Sequence, residues 1–155
     1  FDDALVQLIA DMFASMYAAY DALSPRMKTY LDGMTAVHDA NHIYKALFPD
    51  VDKQYPRSSH PVIRTHPVTK RKSIFVNPSY TTHLEGVSKE EGDAILNYLY
   101  LHCMNPNFQC RFRWQANSVA FWDNRCTWHQ AIWDYFPHVR SGSRVTIKGE
   151  ALQAA

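Results

Sequence analysis

Apolar residues recur at three- and four-residue steps along Leu5, Leu8, Ile9, Met12, Phe13, Met16, Tyr17 and Tyr20. That spacing lines one face of a helix and predicts one from Asp2 to about Leu23. Ser24-Pro25 then reads as an N-cap followed by proline at the first helical position, with Gly33 as the stop. From Asp39 to Arg57 the pattern fades, and Pro49 and Pro56 among scattered charges predict a surface excursion or mobile lid.

After His60 the period changes to two. Val62, Arg64 and His66 alternate with Ile63 and Thr65, Pro67-Val68-Thr69-Lys70 suits a turn, and Ser73 to Val76 suits a short strand. Residues 61–77 are therefore predicted to form a hairpin. Ser88-Lys89-Glu90-Glu91 is a capping box that opens a helix to about Met104, stopped by Asn105-Pro106. Its buried stripe would be Ile95, Leu96, Leu99 and Tyr100. Phe108, Cys110, Phe112 and Trp114 then share one strand face, with Gln109, Arg111 and Arg113 on the other. Asn117-Ser118 is predicted to turn the chain and Val119 to Trp122 to return it. Val139 to Lys148 would be the last strand, after an irregular stretch from Asp123 to His138. Helices first, then strands broken by one helix, suit a mainly β antiparallel sandwich or barrel with flanking helices.

Composition narrows the chemistry. The 155 residues make one domain, 46% hydrophobic, and their 14% aromatic share fits a β-rich core with an organic-ligand pocket. Sixteen Lys and Arg against fifteen Asp and Glu leave a net charge of +1, which offers neither a nucleic-acid groove nor a membrane surface. No apolar run reaches the ~18 residues of a membrane span, and Phe1-Asp2-Asp3 does not read as the basic start of a signal peptide. Cys103, Cys110 and Cys126 are odd in number and lack CxxC spacing, which argues against a disulfide framework or zinc ribbon. A reducing cytoplasm is the expectation.

The candidate chemistry lies near the C-terminal end. His129 ends the run Trp122-Asp123-Asn124-Arg125-Cys126-Thr127-Trp128-His129, just after a predicted strand. Alone it could equally be a surface histidine or a satisfied one in the core. Arg140 and Arg144 follow, an even number of residues apart on the last predicted strand, so both point to one face about 13 Å apart. Aimed into a barrel, two guanidinium groups need two oxyanions, each suited to bidentate pairing. On an edge strand both would simply face solvent.

Several segments in order are similar to the taurine dioxygenase family of iron(II)- and 2-oxoglutarate-dependent oxygenases. They are Ala18-Ala19-Tyr20-Asp21-Ala22-Leu23-Ser24; His60-Pro61-Val62-Ile63-Arg64-Thr65-His66-Pro67-Val68-Thr69; Ser73-Ile74-Phe75-Val76-Asn77 with Tyr80-Thr81-Thr82; Phe108-Gln109-Cys110-Arg111-Phe112-Arg113-Trp114; and Trp122 to His129 with Asp134-Tyr135. The resemblance covers about residues 10–150. It implies a double-stranded β-helix (jelly roll) with flanking helices. It makes His129 the distal histidine ligand of iron(II), Arg140 the partner of the far carboxylate of 2-oxoglutarate, and Arg144 the residue that binds the substrate sulfonate. Tyr44 and Tyr80 fall where the family has pocket-lining aromatics, and Trp122 would exclude water. The implied reaction uses O2 to hydroxylate a small sulfonate such as taurine, releasing sulfite, succinate and CO2. An alkyl sulfate or an aryloxyalkanoate would suit Arg144 as well. Family members commonly associate, so a homo-oligomer is expected.

The sequence also departs from the pattern. A facial triad needs a second histidine and a carboxylate, which the family supplies as an His-x-Asp unit before the Ala18 helix, and no such unit precedes Ala18 here. The glycine-rich turn with its cosubstrate-binding threonine is likewise absent. The only His-x-acid unit, His83-Leu84-Glu85, falls in a segment that carries no ligand in the family. Residues 1–155 thus read as a single oxygenase domain lacking a segment near residues 8–10, with 39–60 shorter than in the family. The rival reading is a non-catalytic jelly-roll binding protein that has lost the iron loop.

Overall fold

The computed structural model describes residues 10–47, 53–133, 135–137 and 140–148. Its first element, β1 (Ala10–Ser15), is a strand where apolar spacing predicted the middle of a helix. β1 runs antiparallel to β7 (Gln109–Arg113) on one side and β8 (Thr127–Ala131) on the other. Ladders on both edges satisfy its backbone groups and outweigh a weak helical preference. The helix begins only after Ser15, whose Oγ accepts from the Ala18 N–H at 3.3 Å to cap α1 (Met16–Asp21). The predicted helical stretch before Ala10 lies outside the described residues.

Ser24 Oγ caps α2 (Pro25–Leu31) by accepting from Met27 N–H at 3.2 Å, and Gly33 ends it at φ +78°. A second antiparallel sheet follows, with β2 (Thr35–Asp39) between β3 (Arg57–Pro61) and β6 (Thr81–Leu84). β4 (Ile63–Thr65) and β5 (Lys72–Ile74) form the predicted hairpin. The expected excursion between Asp39 and Arg57 is pinned where it is described. It holds α3 (Asn41–Leu47), and the Asn41 amide clamps the Tyr55 backbone, accepting from its N–H at 2.9 Å and donating to its carbonyl at 3.0 Å.

The capping box works as read. Glu91 N–H donates to Ser88 Oγ at 3.2 Å and Ser88 N–H to Glu91 Oε2 at 3.0 Å, opening α4 (Lys89–Cys103). Of its expected stripe, Leu96 and Leu99 are buried, while Ile95 and Tyr100 are partly so. Met16, Leu31, Ile74, Leu84, Leu99 and Cys103 join α1, α2, β5, β6 and α4 in one core. Each fully buried large side chain there contributes about 1.5–3 kcal/mol.

The C-terminal half departs from expectation. Val119 to Trp122 enters no ladder, and the strand beside β1 is β8, inside the stretch expected to be irregular. β1, contributed from about a hundred residues upstream, lies between β7 and β8, so no local hairpin forms there. Among the described residues, 140–148 also enter no ladder, and Val139 lies outside the description. His129 is thus within a strand rather than after one. No helix among the described residues is long and apolar enough to cross a membrane.

Candidate active site

A cavity of about 570 Å³ lies between the β2–β3 edge, the segment after β5, α3 and β8. His129 and Arg144 both line it, as do Tyr44 and Tyr80. Cross-strand pairing with Phe13 fixes the direction of His129: the two face each other across β1 and β8, ring centroids 6.3 Å apart. The Trp122 ring lies 5.0 Å from the His129 ring and 5.6 Å from the Arg144 guanidinium carbon. His129 is exposed on β8, yet partial desolvation of its ring lowers its pKa, with Arg144 adding to the shift and Asp11 opposing it. Tyr80 is raised, first by burial and then by its hydrogen bond with Tyr44, while Arg144 opposes. No carboxylate among the described residues forms an ion pair with Arg144, whose exposed side chain lines the cavity beside the Trp122 ring.

Arg140 goes elsewhere. Its Nη2 donates to both carboxylate oxygens of Asp11 at 2.8 Å, and Arg140 does not line the cavity. Asp11 is 8% exposed and also accepts from Trp114 Nε1 at 2.7 Å. The two arginines do not share a strand face, because no ladder orders 140–148 and each side chain follows its own partner.

His83 and Glu85 sit apart from this wall, and neither lines the cavity. Glu85 Oε2 accepts from Thr35 Oγ1 at 2.7 Å and from Ser59 Oγ, hydroxyls that lower its pKa. The described residues assemble no three-ligand set around His129. Among them, His66, Asp123 and Cys126 do bring ligand-type atoms within 4.8 Å of one another. Their donors are already committed. His66 Nδ1 accepts from Val68 and Thr69 N–H, which leaves the Nε2 proton for Asp123 at 3.1 Å. Asp123 also takes Arg125 through Nε at 2.9 Å and Nη2 at 2.6 Å. This trio is a strut between the hairpin turn and the approach to β8.

His38 was not foreseen. It lines the cavity, stacks on Phe75 at 5.4 Å, and is pushed down to about 4 by burial and then by His60. Its Nε2 is buried without a hydrogen-bond partner among the described residues, while His60 Nε2 meets Ser58 Oγ at 2.8 Å. The sequence pattern predicted neither β2 nor a role for His38.

Residues 10–146 match the family described as "Taurine catabolism dioxygenase TauD, TfdA family". A Schizosaccharomyces pombe protein, named as a candidate α-ketoglutarate-dependent sulfonate dioxygenase, is 41% identical over 143 residues, covering 90% of this chain and 37% of its own length. The Pseudomonas putida α-ketoglutarate-dependent sulfate ester dioxygenase is 30% identical over 151 residues, covering 90% of this chain and half (50%) of its own. A crystal structure of a taurine dioxygenase from Burkholderia xenovorans superimposes with a TM-score of 0.71 at 33% identity, over 83% of this chain and 42% of that one. The mainly β fold with flanking helices is therefore of the jelly-roll type, and this chain spans half or less of each of these relatives. The chain belongs to the TauD/TfdA family of taurine catabolism dioxygenases.

Proposed function

We propose that this chain is part of an iron(II)- and 2-oxoglutarate-dependent dioxygenase that uses O2 to hydroxylate a small sulfonate such as taurine. His129 would be an iron ligand, Arg140 would take the far carboxylate of 2-oxoglutarate, and Arg144 would take the substrate anion. The observation that carries the reading is Arg144 beside His129 on one cavity wall, with Trp122 against both. A guanidinium without a carboxylate partner suits an oxyanion, and the aromatic lining keeps water from a bound alkyl chain. When bound, the iron supplies the oxidising chemistry; the chain's own residues bind, orient and shield.

In this reading residues 1–155 are one oxygenase domain that lacks the iron-binding segment near residues 8–10. An intact mass of 17.9 kDa for the purified protein would reject that part. Association into homo-oligomers and a cytoplasmic location complete the proposal, the latter resting on three cysteines without paired spacing.

Incubation with iron(II), 2-oxoglutarate and a panel of sulfonates, alkyl sulfates and aryloxyalkanoates tests the activity. Succinate and sulfite should form with a sulfonate. Sulfate release would move the assignment to sulfate esters, as in the Pseudomonas putida relative's name. A second reading, a jelly roll that binds anions without turnover, is favoured by Asp11 holding Arg140. It predicts sulfonate binding with no succinate.

A further inference from the structure

Asp11 is placed as a ligand would be. Its two carboxylate oxygens straddle Arg140 Nη2 at 2.8 Å each, Trp114 Nε1 donates to Oδ2 at 2.7 Å, and 8% of the residue is exposed. Ladder pairing fixes it there, since Asp11 sits opposite Phe112 on β7 and Ala131 on β8. Among the described residues Arg140 Nη1 approaches only the Ala10 carbonyl, at 3.5 Å, and Asp11 is the only acid paired with Arg140.

We infer that Asp11 is an internal competitor for the cosubstrate, a carboxylate of the chain that occupies the guanidinium through which 2-oxoglutarate would be recognised. The inference rests on the role given to Arg140 under the proposed function. A second carboxylate brought to Arg140 meets a charge that is already neutralised. It also meets a like charge beside the same largely buried ion pair, where the repulsion is screened less than in open solvent. The external acid must displace Asp11 or share one guanidinium with it. Either weakens binding of an acid with a far carboxylate, and neither affects an acid that lacks one. Asp11 therefore sets both the affinity and the selectivity of this position.

The test is equilibrium dialysis of 2-oxoglutarate, and of 2-oxobutanoate as the analogue without the far carboxylate, with iron(II) under anaerobic conditions. Asp11→Asn removes the charge and keeps an acceptor for Trp114, so the fold is maintained; Asp11→Ala is the stronger variant, and circular dichroism melting follows both. Asp11→Asn should bind 2-oxoglutarate about tenfold more tightly than the parent, the scale of one charge-assisted hydrogen bond. 2-Oxobutanoate binding should not change, and the gain should vanish when Arg140→Ala is added. Unchanged or weaker 2-oxoglutarate binding in Asp11→Asn overturns the inference. If Arg140→Ala alone still abolishes binding in that case, the proposed role of Arg140 stands without it. If no variant binds 2-oxoglutarate, both fall.

Discussion

The Arg144 guanidinium lies over the face of the Trp122 ring, 5.6 Å from its centroid. The ring holds the cation in place without neutralising it, so the charge stays available to an anion in the cavity. Arg144→Ala should raise the KM for a sulfonate about tenfold or more, because a charge-assisted pair is lost. Trp122→Ala should cost about two- to fivefold, the scale of an exposed cation–π contact. Neither change should alter 2-oxoglutarate affinity. Steady-state kinetics with each substrate varied in turn separate these effects, and a shift in 2-oxoglutarate affinity would contradict the assignment.

His129 makes ring contacts with Phe13 and Trp122 and keeps solvent contact on β8. His129→Ala should therefore cost little stability, below about 1 kcal/mol in urea denaturation. The same variant should lose iron(II) binding, read by metal analysis after anaerobic dialysis. Full iron retention in a folded variant would remove His129 from the metal site.

The elements legible in the sequence were those set by near neighbours. Ser24 and Gly33 bound α2, and Ser88 with Glu91 opens α4, because a cap is a contract between residues three or four apart. β1 was illegible because its partners, Phe112 and Ala131, come from about a hundred residues downstream. The same holds for polar pairs. His66–Asp123 spans 57 positions and Asp11–Arg140 spans 129, and no local pattern announces either. His129 and Arg144 were singled out through an ordered series of similar segments, and both line the cavity. Strand parity alone would have sent Arg140 and Arg144 to one face, where the structure separates them.

Gly92 is a buried glycine inside α4, where glycine costs helix stability relative to alanine. An added Cβ would lie 3.6 Å from Val87 Cγ2 and 3.7 Å from Leu84 Cβ, ordinary contact distances. Gly92→Ala should thus stabilise the protein by about 0.5–1 kcal/mol. A urea midpoint that falls instead would mean that α4 and β6 leave no room for the methyl group.

Stability should decline with acid over two pH windows. His38 has its pKa pushed down to about 4 by burial and by His60, and His60 is lowered by burial and Arg64. In the unfolded chain a histidine titrates near 6.5, so between about pH 6.5 and 4 the unfolded state binds more protons than the folded one. Stability is then complete above that window and declines as pH falls through it. The Asp123 carboxyl, held well below the usual carboxylate range by Arg125 and then His66, acts lower down. Its contribution is present above about pH 4 and is lost as pH falls further. Urea midpoints at closely spaced pH values should show both slopes. His38→Gln should flatten the upper one and leave the lower; Asp123→Asn should lower stability at neutral pH and reduce the lower slope. An upper slope that persists unchanged in His38→Gln would mean that this ring is not held neutral in the fold.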